Sequence, residues 1–412
     1  MKSMKKIVAI VLAVVLVGAL FAGCSKKVTP VAGFICLHDE NSTYDKNFID
    51  SAKEACKALG LEEGQYLIKT NINEDNSCYE AAKDLVDQGC KFVFADSFGH
   101  EDYMIKAAKE FPEVQFAHAT GTQAHTVKLD NFHNAFASIY EGRYLAGIAA
   151  GLKLNEIKEA GKLKGKTAKM GYVGAFTYAE VISGYTSFYL GAKSVCPEVT
   201  MEVTFTGSWY DETAEKEAAN KLINNGCDLI SQHADSMGAP TACETAGIPD
   251  VSYNGSTVSA CPNTFIVSSR INWAPYFEYA IKATQEGKAF DTDWTGSIDT
   301  ESVQLTEIND KAAAKDTQAA IDAAKAEFAA GTRKVFDVNT FTVTISKDKN
   351  VNAKIDKEGH LTSYMADVDT DENYTPDTEV IKDGEFAESS FRSAPYFDIQ
   401  IDGIELLDVN FG

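Results

Sequence analysis

Short apolar runs and longer stretches with helical spacing alternate along the first third of the chain. The runs predict buried strands over 31–37, 90–95 and 114–118, and the spacing predicts helices over 48–59, 80–88 and 103–110. Strands that alternate with helices in this way favour a parallel sheet with helices on both faces. The expected fold class is therefore α/β.

The same alternation restarts after a helical stretch at 135–154 and a Lys/Gly-rich stretch at 158–169. It predicts strands over 169–174, 202–206, 227–232 and 251–253, and helices over 181–196 and 214–224. Residues 85–90 (LVDQGC) are similar to 222–227 (LINNGC), and in each copy a glycine ends a helix before a buried strand. This similarity indicates an internal repeat of the α/β unit.

Two α/β lobes and a polar extension account for the rest of the chain. We expect lobe 1 over 31–145, completed by about 260–300, and lobe 2 over 146–259, completed by about 301–333. Helices are expected over 275–286 and within 310–330. Alternating residues such as 341–345 predict a strand-rich extension over 334–412.

The N-terminus has the features of an export signal. Three lysines precede a 16-residue apolar run at 7–22, which is shorter than the ~20 residues of a spanning helix. The sequence Leu20-Phe21-Ala22-Gly23-Cys24 resembles the lipobox of bacterial lipoproteins. We expect a signal peptide over 1–23, lipidation of Cys24, a tether over 24–30, and a folded part on the extracytoplasmic face of the cell membrane. An uncleaved N-terminal anchor is the alternative.

Composition narrows the class of function. The chain has 412 residues, 38 Lys+Arg and 60 Asp+Glu, so its formal net charge of −22 argues against nucleic-acid binding. Eight cysteines follow Cys24, and both free buried thiols and disulfides are compatible with their positions. The sequence contains no CxxC pair and no Gly-x-Ser-x-Gly elbow, so we expect no metal site, cofactor or catalytic residue.

Polar and aromatic residues follow the predicted strands in both halves. Ligands of open parallel sheets bind beyond the carboxyl ends of the strands, so these residues are expected to line one cleft. Aromatic rings could stack on a planar ligand while carboxylates and amides bind its edge. The candidates are Asp45, Asn47, Phe48, Thr120, Trp209, Tyr210, His233, Asp235, Ser236 and Asn254.

Several of these segments resemble the basic membrane protein family of substrate-binding lipoproteins of ATP-binding-cassette (ABC) importers. Residues 45–48 resemble the Asp-x-Ser-Phe-Asn loop of that family, 207–211 its Gly-Ser-Phe-x-Asp, and 232–235 its Gln-strand end. Asn134 and residues 140–147 resemble its first-lobe exit helix. The resemblance implies a type I periplasmic binding protein fold with three crossovers, a permease and its ATPase as partners, and a monomer.

The resemblance also implies a ligand. Characterised members of the family bind purine nucleosides, with the base between two aromatic residues that would be Phe48 and Trp209 here. The family's ribose-binding Asp and Lys fall on Asn254 and near Ile271, where this sequence does not match, although Arg270 could supply the charge. The expectation is therefore a purine base such as adenine, with a purine nucleoside as the alternative.

Three other functions remain open from the sequence. Asp45 and Asp235 could form the acid/base pair of an exported purine nucleoside hydrolase. The alternating carboxylates Asp367, Asp369 and Asp371 could belong to a calcium loop, although Glu372 replaces the glycine of an EF-hand. A receptor of the same fold for a signal other than a purine is the third.

Overall fold

Lobe 1 is built on a six-stranded parallel sheet. The computed structural model describes residues 29–409. Its strands lie side by side in the order β11 (Asp293–Gly296), β5 (Phe132–Ala137), β4 (Gln115–Ala119), β3 (Phe92–Ala95), β1 (Ala32–Ile35) and β2 (Tyr66–Lys69). Its first elements are β1 (Ala32–Ile35), α1 (Thr43–Ala58), β2 (Tyr66–Lys69), α2 (Asn76–Gln88), β3 (Phe92–Ala95), α3 (Glu101–Glu110), β4 (Gln115–Ala119), α4 (Ala124–Val127) and β5 (Phe132–Ala137).

Lobe 2 repeats this architecture with a seven-stranded sheet, in the order β12-β10-β9-β8-β6-β7-β18. All neighbours are parallel except β10 and β12. Its elements are α5 (Ile139–Glu159), β6 (Lys169–Gly174), α6 (Ala179–Val195), β7 (Thr200–Phe205), α7 (Glu212–Asn224), β8 (Leu229–Gln232), α8 (Gly238–Ala246), β9 (Asp250–Tyr253) and β10 (Phe265–Ile271). The mixed α/β fold with helix-flanked parallel sheets confirms the predicted fold class.

The chain passes between the lobes three times. It leaves lobe 1 after β5 and returns after β10, where α9 (Ala274–Glu286) packs on α1 and β11 (Asp293–Gly296) pairs with β5. It then enters lobe 2 again at β12 (Val303–Leu305). The expectation that 260–300 completes lobe 1 was wrong for β10, because this strand pairs with β9 and the chain turns into lobe 1 only at residues 272–274.

The extension beyond lobe 2 is β-rich but irregular. It follows α10 (Thr317–Ala329) and contains a three-stranded sheet, a two-stranded sheet and a strand that joins lobe 2 beside β7. Residues 341–345, expected to be a strand, have no assigned strand structure. The strands are β13 (Ala353–Ile355), β14 (Leu361–Ala366), β15 (Thr378–Glu379), β16 (Ile381–Lys382), β17 (Glu385–Phe386) and β18 (Ile404–Leu406).

The structure bears on the cysteines and on the question of membrane-spanning helices. All eight cysteines after Cys24 are free and buried, which agrees with one of the two alternatives left open. The predicted signal peptide and the lipidation site at Cys24 lie outside the described residues. Among the described helices, none is long and apolar enough to span a membrane.

Helices α5 and α6 approach so closely that glycine is required at their contact. A Cβ atom on Gly191 would lie 2.0 Å from the Tyr144 carbonyl oxygen, and one on Gly147 would lie 2.1 Å from that of Phe188. Both obstacles are backbone atoms, which cannot rotate away. This contact fixes α5, the first segment of lobe 2, against the lobe 2 core.

We expect Gly191→Ala to lower the free energy of unfolding by more than about 2 kcal/mol, because the added methyl group forces the helices apart. Urea unfolding followed by circular dichroism measures this change. Gly165→Ala is the control, since a Cβ atom there meets nothing closer than 3.7 Å. A change below about 0.5 kcal/mol in the Gly191 variant would contradict the close packing.

Candidate ligand-binding cleft

A cavity lies between the two lobes at the carboxyl ends of their strands. Its volume is about 20 Å³, room for little more than one water molecule, so the lobes are closed on each other here. Lobe 1 contributes residues that follow β3 and β4 and one from the first turn of α1, and lobe 2 contributes residues at the ends of β8 and β9 and from α6. The lining residues are Tyr44, Ser97, Phe98, Thr120, Glu180, Trp209, His233, Asp235 and Tyr253.

The lobes touch each other at the edge of this cavity. The Thr43 amide and hydroxyl of lobe 1 both donate to the Asp235 carbonyl oxygen of lobe 2, at 3.1 and 3.2 Å. The rings of His38 and Tyr210 lie 5.3 Å apart across the same boundary. Tyr210, which was predicted to contact ligand, therefore lies at the contact between the lobes and outside the cavity lining.

Phe48, which was predicted to stack on a ligand, does not line the cavity. Its ring is 2% exposed and stacks on Trp273 at 4.5 Å, within the lobe 1 core. Tyr44, one helical turn earlier, lines the cavity instead. Helix α1 begins at Thr43, before the predicted start at 48, so the residue nearest the strand ends is Tyr44.

Asp45 and Asn47 support the site and lie outside the cavity lining. Asp45 accepts from the His38 amide at 2.7 Å and from the Ser42 hydroxyl at 2.6 Å, at the first turn of α1. Burial raises the pKa of the Asp45 carboxyl, but these hydrogen bonds outweigh it and leave the pKa lowered. The Asn47 amide donates to the carbonyl of Ile271, at the second crossover between the lobes.

Asp235 supplies a buried carboxyl group to the cavity. Burial raises its pKa well above the usual range, and the negative charges of Asp45 and Glu215 act in the same direction. The Glu215 carboxylate accepts from the Ser236 amide at 3.1 Å and so holds the loop that carries Asp235. Ser236 itself uses its hydroxyl to accept from the Gly238 amide and does not line the cavity.

His233 and Arg143 form a buried polar group beside Asp235. An Arg143 guanidinium nitrogen donates to His233 Nδ1 at 3.0 Å, so the imidazole carries its proton on Nε2 and donates to Glu180 at 3.2 Å. Burial and the Arg143 charge lower the pKa of His233, which stays neutral. The guanidinium lies 3.4 Å from the centre of the Tyr253 ring and also donates to the Gln232 carbonyl oxygen at 3.0 Å.

Thr120 lines the cavity in a backbone conformation that is rare for its type. Its φ is 62°, in the left-handed region, which a β-branched residue adopts only when the surroundings impose it. Asn134 lies beneath this loop, fully buried, and neither polar atom of its side chain has a hydrogen-bond partner among the described residues. It was predicted as a site residue but does not line the cavity.

The remaining two predicted residues lie away from the cavity lining. Arg270 lies on β10, where the negative charges of Glu54 and Asp50 on α1 favour the protonated form of its guanidinium. Asn254, with φ of 61°, is buried after β9. Of the twelve predicted residues, the structure thus brings Thr120, Trp209, His233 and Asp235 together in the cavity.

Sequence reasoning missed Tyr44, Ser97, Phe98, Glu180 and Tyr253 in the lining. Ser97, Phe98 and Tyr253 could have been found, because they end or directly follow predicted strands. Tyr44 and Glu180 lie in the first turn of a helix, one step beyond the strand ends that were considered.

The C-terminal extension reaches the cleft. Phe98, Thr120 and Glu180 also line an adjoining pocket whose other wall includes Asp369 and Arg392 of the extension. These two side chains form an ion pair, so Asp369 is neutralised by a cation of the protein. This pairing weakens the calcium-loop hypothesis.

The extension also bonds to both lobes. The Thr126 hydroxyl of lobe 1 donates to the Asp369 carbonyl at 2.7 Å, and the Ser393 amide donates to Asp293 of lobe 1 at 2.7 Å. Strand β18 meanwhile continues the lobe 2 sheet. The extension therefore spans the cleft on one side.

Two α/β lobes, three crossovers and an interlobe cavity define a two-lobed solute-binding protein. The family of PnrA-like substrate-binding proteins of ABC transporters (Bmp) matches residues 34–363. The chain belongs to this family, which places it among binding proteins and not among enzymes. Substrate-binding proteins of ABC transporters act outside the cytoplasm.

Individual relatives agree with this class. The chain is 34% identical over 235 residues to a purine-binding protein of Brucella abortus, covering 57% of this chain and 63% of the relative. It is 33% identical over 205 residues to a putative ABC transporter glucose-binding protein of Haloferax volcanii, covering 50% of this chain and 49% of that one. The chain thus spans about half to two thirds of the length of these relatives.

A solved structure shows the same fold. An ABC transporter solute-binding protein of Aeropyrum pernix superposes with a TM-score of 0.62 at 17% identity, covering 77% of this chain and 95% of the other. At this identity the likeness concerns the fold alone.

We expect Glu215→Gln to reduce the loss of stability between pH 4.5 and 7. Burial raises the pKa of Glu215 from 4.5 to about 7, so its stabilising contribution is complete below pH 4.5 and lost as the pH rises through 7. The shift corresponds to about 3 kcal/mol. Urea unfolding at both pH values measures the difference between wild type and variant, and parallel pH profiles would contradict the assignment.

Proposed function

We propose that this protein is the lipid-anchored, extracytoplasmic receptor of an ABC importer, and that it closes its two lobes over a purine base. Lining residues from both lobes at one cavity are the observation that carries the proposal. A ligand that touches both lobes favours the closed arrangement over the open one, and the three crossovers act as the hinge.

The charges of the cavity favour a neutral ligand. Its ionisable lining includes the carboxyl groups of Glu180 and Asp235, while the nearby Arg143 is occupied by His233 and Tyr253. A phosphate group would meet these two carboxyl groups and no free cation among the described lining residues, so nucleotides are disfavoured. The amino and ring N–H groups of a purine, in contrast, could donate to Asp235.

The aromatic residues favour a flat ligand. Trp209 lies on the lobe 2 side and Tyr44 and Phe98 on the lobe 1 side of the same cavity. Trp209 is held by Phe176, whose ring packs edge-on against it at 5.0 Å. A supported indole can stack on a planar ring with little loss of side-chain freedom.

A base is favoured over a nucleoside. The two positions considered for ribose recognition, Asn254 and Arg270, do not line the cavity. The name of the Brucella relative supports a purine, whereas that of the Haloferax relative raises a sugar as the second candidate. A purine nucleoside remains the alternative within the purine class.

The nucleoside hydrolase hypothesis has little support from the geometry. Asp45 accepts hydrogen bonds at the first turn of α1 and does not share the cavity with Asp235. The pair therefore lacks the arrangement that acid/base catalysis would need. A receptor that signals the presence of a solute other than a purine stays compatible with the fold.

The lipid anchor is proposed from the sequence alone. We infer lipidation at Cys24, since Leu20-Phe21-Ala22-Gly23-Cys24 resembles a lipobox. Metabolic labelling with a clickable palmitate analogue in a bacterial host would mark the wild-type chain and leave Cys24→Ser unlabelled. We further propose a monomeric receptor that delivers its ligand to a permease and its ATPase.

A ligand panel on residues 25–412 tests the proposed function. We expect adenine to raise the melting temperature, because a ligand of the folded state adds roughly 2.7 kcal/mol at ~100 Kd. Adenosine should give a smaller shift, and AMP and glucose none. A shift with glucose alone would favour the sugar alternative and contradict the purine assignment.

We expect Trp209→Ala to weaken adenine binding by more than tenfold in isothermal titration calorimetry, since it removes the stacking surface. Phe48→Leu is the matched aromatic control. It should lower stability and leave the affinity within about threefold, because Phe48 belongs to the lobe 1 core. Unchanged affinity in the Trp209 variant would rule out stacking on this residue.

A further inference from the structure

Four side chains with metal-binding chemistry meet in lobe 1 next to the cavity. Cys36 follows β1, Asp45 lies in the first turn of α1, Asp96 follows β3, and His100 directly precedes α3. Cys36 Sγ and one oxygen from each of Asp45 and Asp96 lie within 4.8 Å of one another, and His100 Nδ1 lies 3.9 Å from Asp96 Oδ1. All four residues are buried. We call them the lobe 1 cluster.

The orientation of His100 points to a cation. Its Nε2 lies 2.9 Å from the Ile72 carbonyl oxygen, which can only accept, so Nε2 carries the proton and Nδ1 presents a lone pair. Nδ1 has no hydrogen-bond partner among the described residues, and the side chain is fully buried. Metal-bound histidines commonly use one nitrogen for the metal and the other to donate to a backbone carbonyl.

The carboxyl group of Asp96 is a second indication of a cation. Asp96 Oδ2 is buried without a hydrogen-bond partner in the described part of the chain, while Oδ1 accepts from the Leu37 amide at 3.1 Å. Asp96 also faces the carboxyl of Asp45 and the thiol of Cys36. Buried acceptors are costly unless a cation or hydrogen bonds compensate them. Asp45 has such hydrogen bonds from His38 and Ser42, whereas Asp96 Oδ2 and the His100 lone pair have none within the described residues.

We propose that Cys36, Asp45, Asp96 and His100 bind a divalent transition-metal ion such as Zn²⁺. Thiolate, imidazole and carboxylate ligands suit zinc, whose tetrahedral sites with bonds of about 2.0–2.3 Å place donor atoms roughly 3.3–3.8 Å apart. The Cys36, Asp45 and Asp96 atoms lie within 4.8 Å of one another and His100 reaches the group through Asp96, so metal binding requires side-chain rotations that draw the four donors together. Binding releases the Cys36 thiol proton to solvent, and no oxidant or reductant is involved.

The ion would stabilise the lobe 1 wall of the ligand cavity. The Tyr44 hydroxyl, which lines the cavity, donates to the Asp96 carbonyl at 2.7 Å, and Ser97 follows Asp96 directly. The cluster thereby joins β1, α1, β3 and α3 at the edge that faces the ligand. The proposal concerns metal binding and does not depend on the identity of the ligand.

Zinc titration of the reduced, metal-stripped chain 25–412 in competition with a chromogenic chelator tests the proposal. We expect one equivalent bound by wild type, and affinity reduced at least tenfold in Asp96→Asn and in His100→Gln. His133→Gln is the matched control, because both ring nitrogens of that buried histidine already contact oxygen atoms, at 2.9 and 2.8 Å. Its affinity for zinc should equal that of wild type.

Cobalt substitution gives a readout that does not depend on the stability of these variants. Co²⁺ bound to wild type should show a thiolate-to-cobalt absorption band, which Cys36→Ser removes and Cys56→Ser, at a buried thiol of α1 outside the lobe 1 cluster, retains. A folded wild type that binds no zinc, or that binds cobalt without a thiolate band, would overturn the proposal. Equal zinc affinity in wild type and both ligand variants would overturn it as well.

Discussion

The position of the ligand cavity follows from one constraint, the three passages of the chain between two parallel sheets. These passages hold the carboxyl ends of both sets of strands face to face, where backbone ends and polar loops concentrate. The second passage is anchored by lobe 1 itself, since Asn47 donates to the Ile271 carbonyl and the Trp273 amide donates to Ser51. Helix α1 therefore supports the hinge and, through Tyr44, also forms part of the cavity wall.

Buried acidity is the second organising feature of the cleft. Asp235 and Glu180 line the cavity, Glu215 holds the Asp235 loop, and Asp45 and Asp96 lie behind the lobe 1 wall. Arg143 is a buried cation of this region, and burial together with its charge lowers the pKa of His233. Asp45 is compensated by hydrogen bonds from His38 and Ser42, whereas Asp96 has one buried oxygen without a hydrogen-bond partner among the described residues.

The sequence predicted the architecture better than the site. The alternation of apolar strands with helically spaced segments predicted two α/β lobes, as did the similar helix ends at Gly89 and Gly226. These features depend on residues close together in the sequence, so they can be recognised without knowledge of the tertiary packing. The strands β2 and β5 were missed because their apolar runs are short. β2 is half-exposed along its length, and His133 and Asn134 interrupt the buried strand β5. Phe48 and Arg270 were misplaced since a residue near a strand end can point into the core or toward a neighbouring helix, and only the packing decides which. The lobe 1 cluster has no counterpart in the sequence pattern, because its four residues come from four separate elements and have no short spacing.

The most direct test of the account is a crystal structure of the chain grown with adenine. We expect planar density in the interlobe cavity, with one face on Trp209 and an edge within hydrogen-bond distance of the Asp235 carboxyl. The lobes should retain the contact between Thr43 and Asp235. Adenine bound elsewhere, or an interlobe cavity that stays empty at saturating adenine, would contradict the central claim that the two lobes close over a purine.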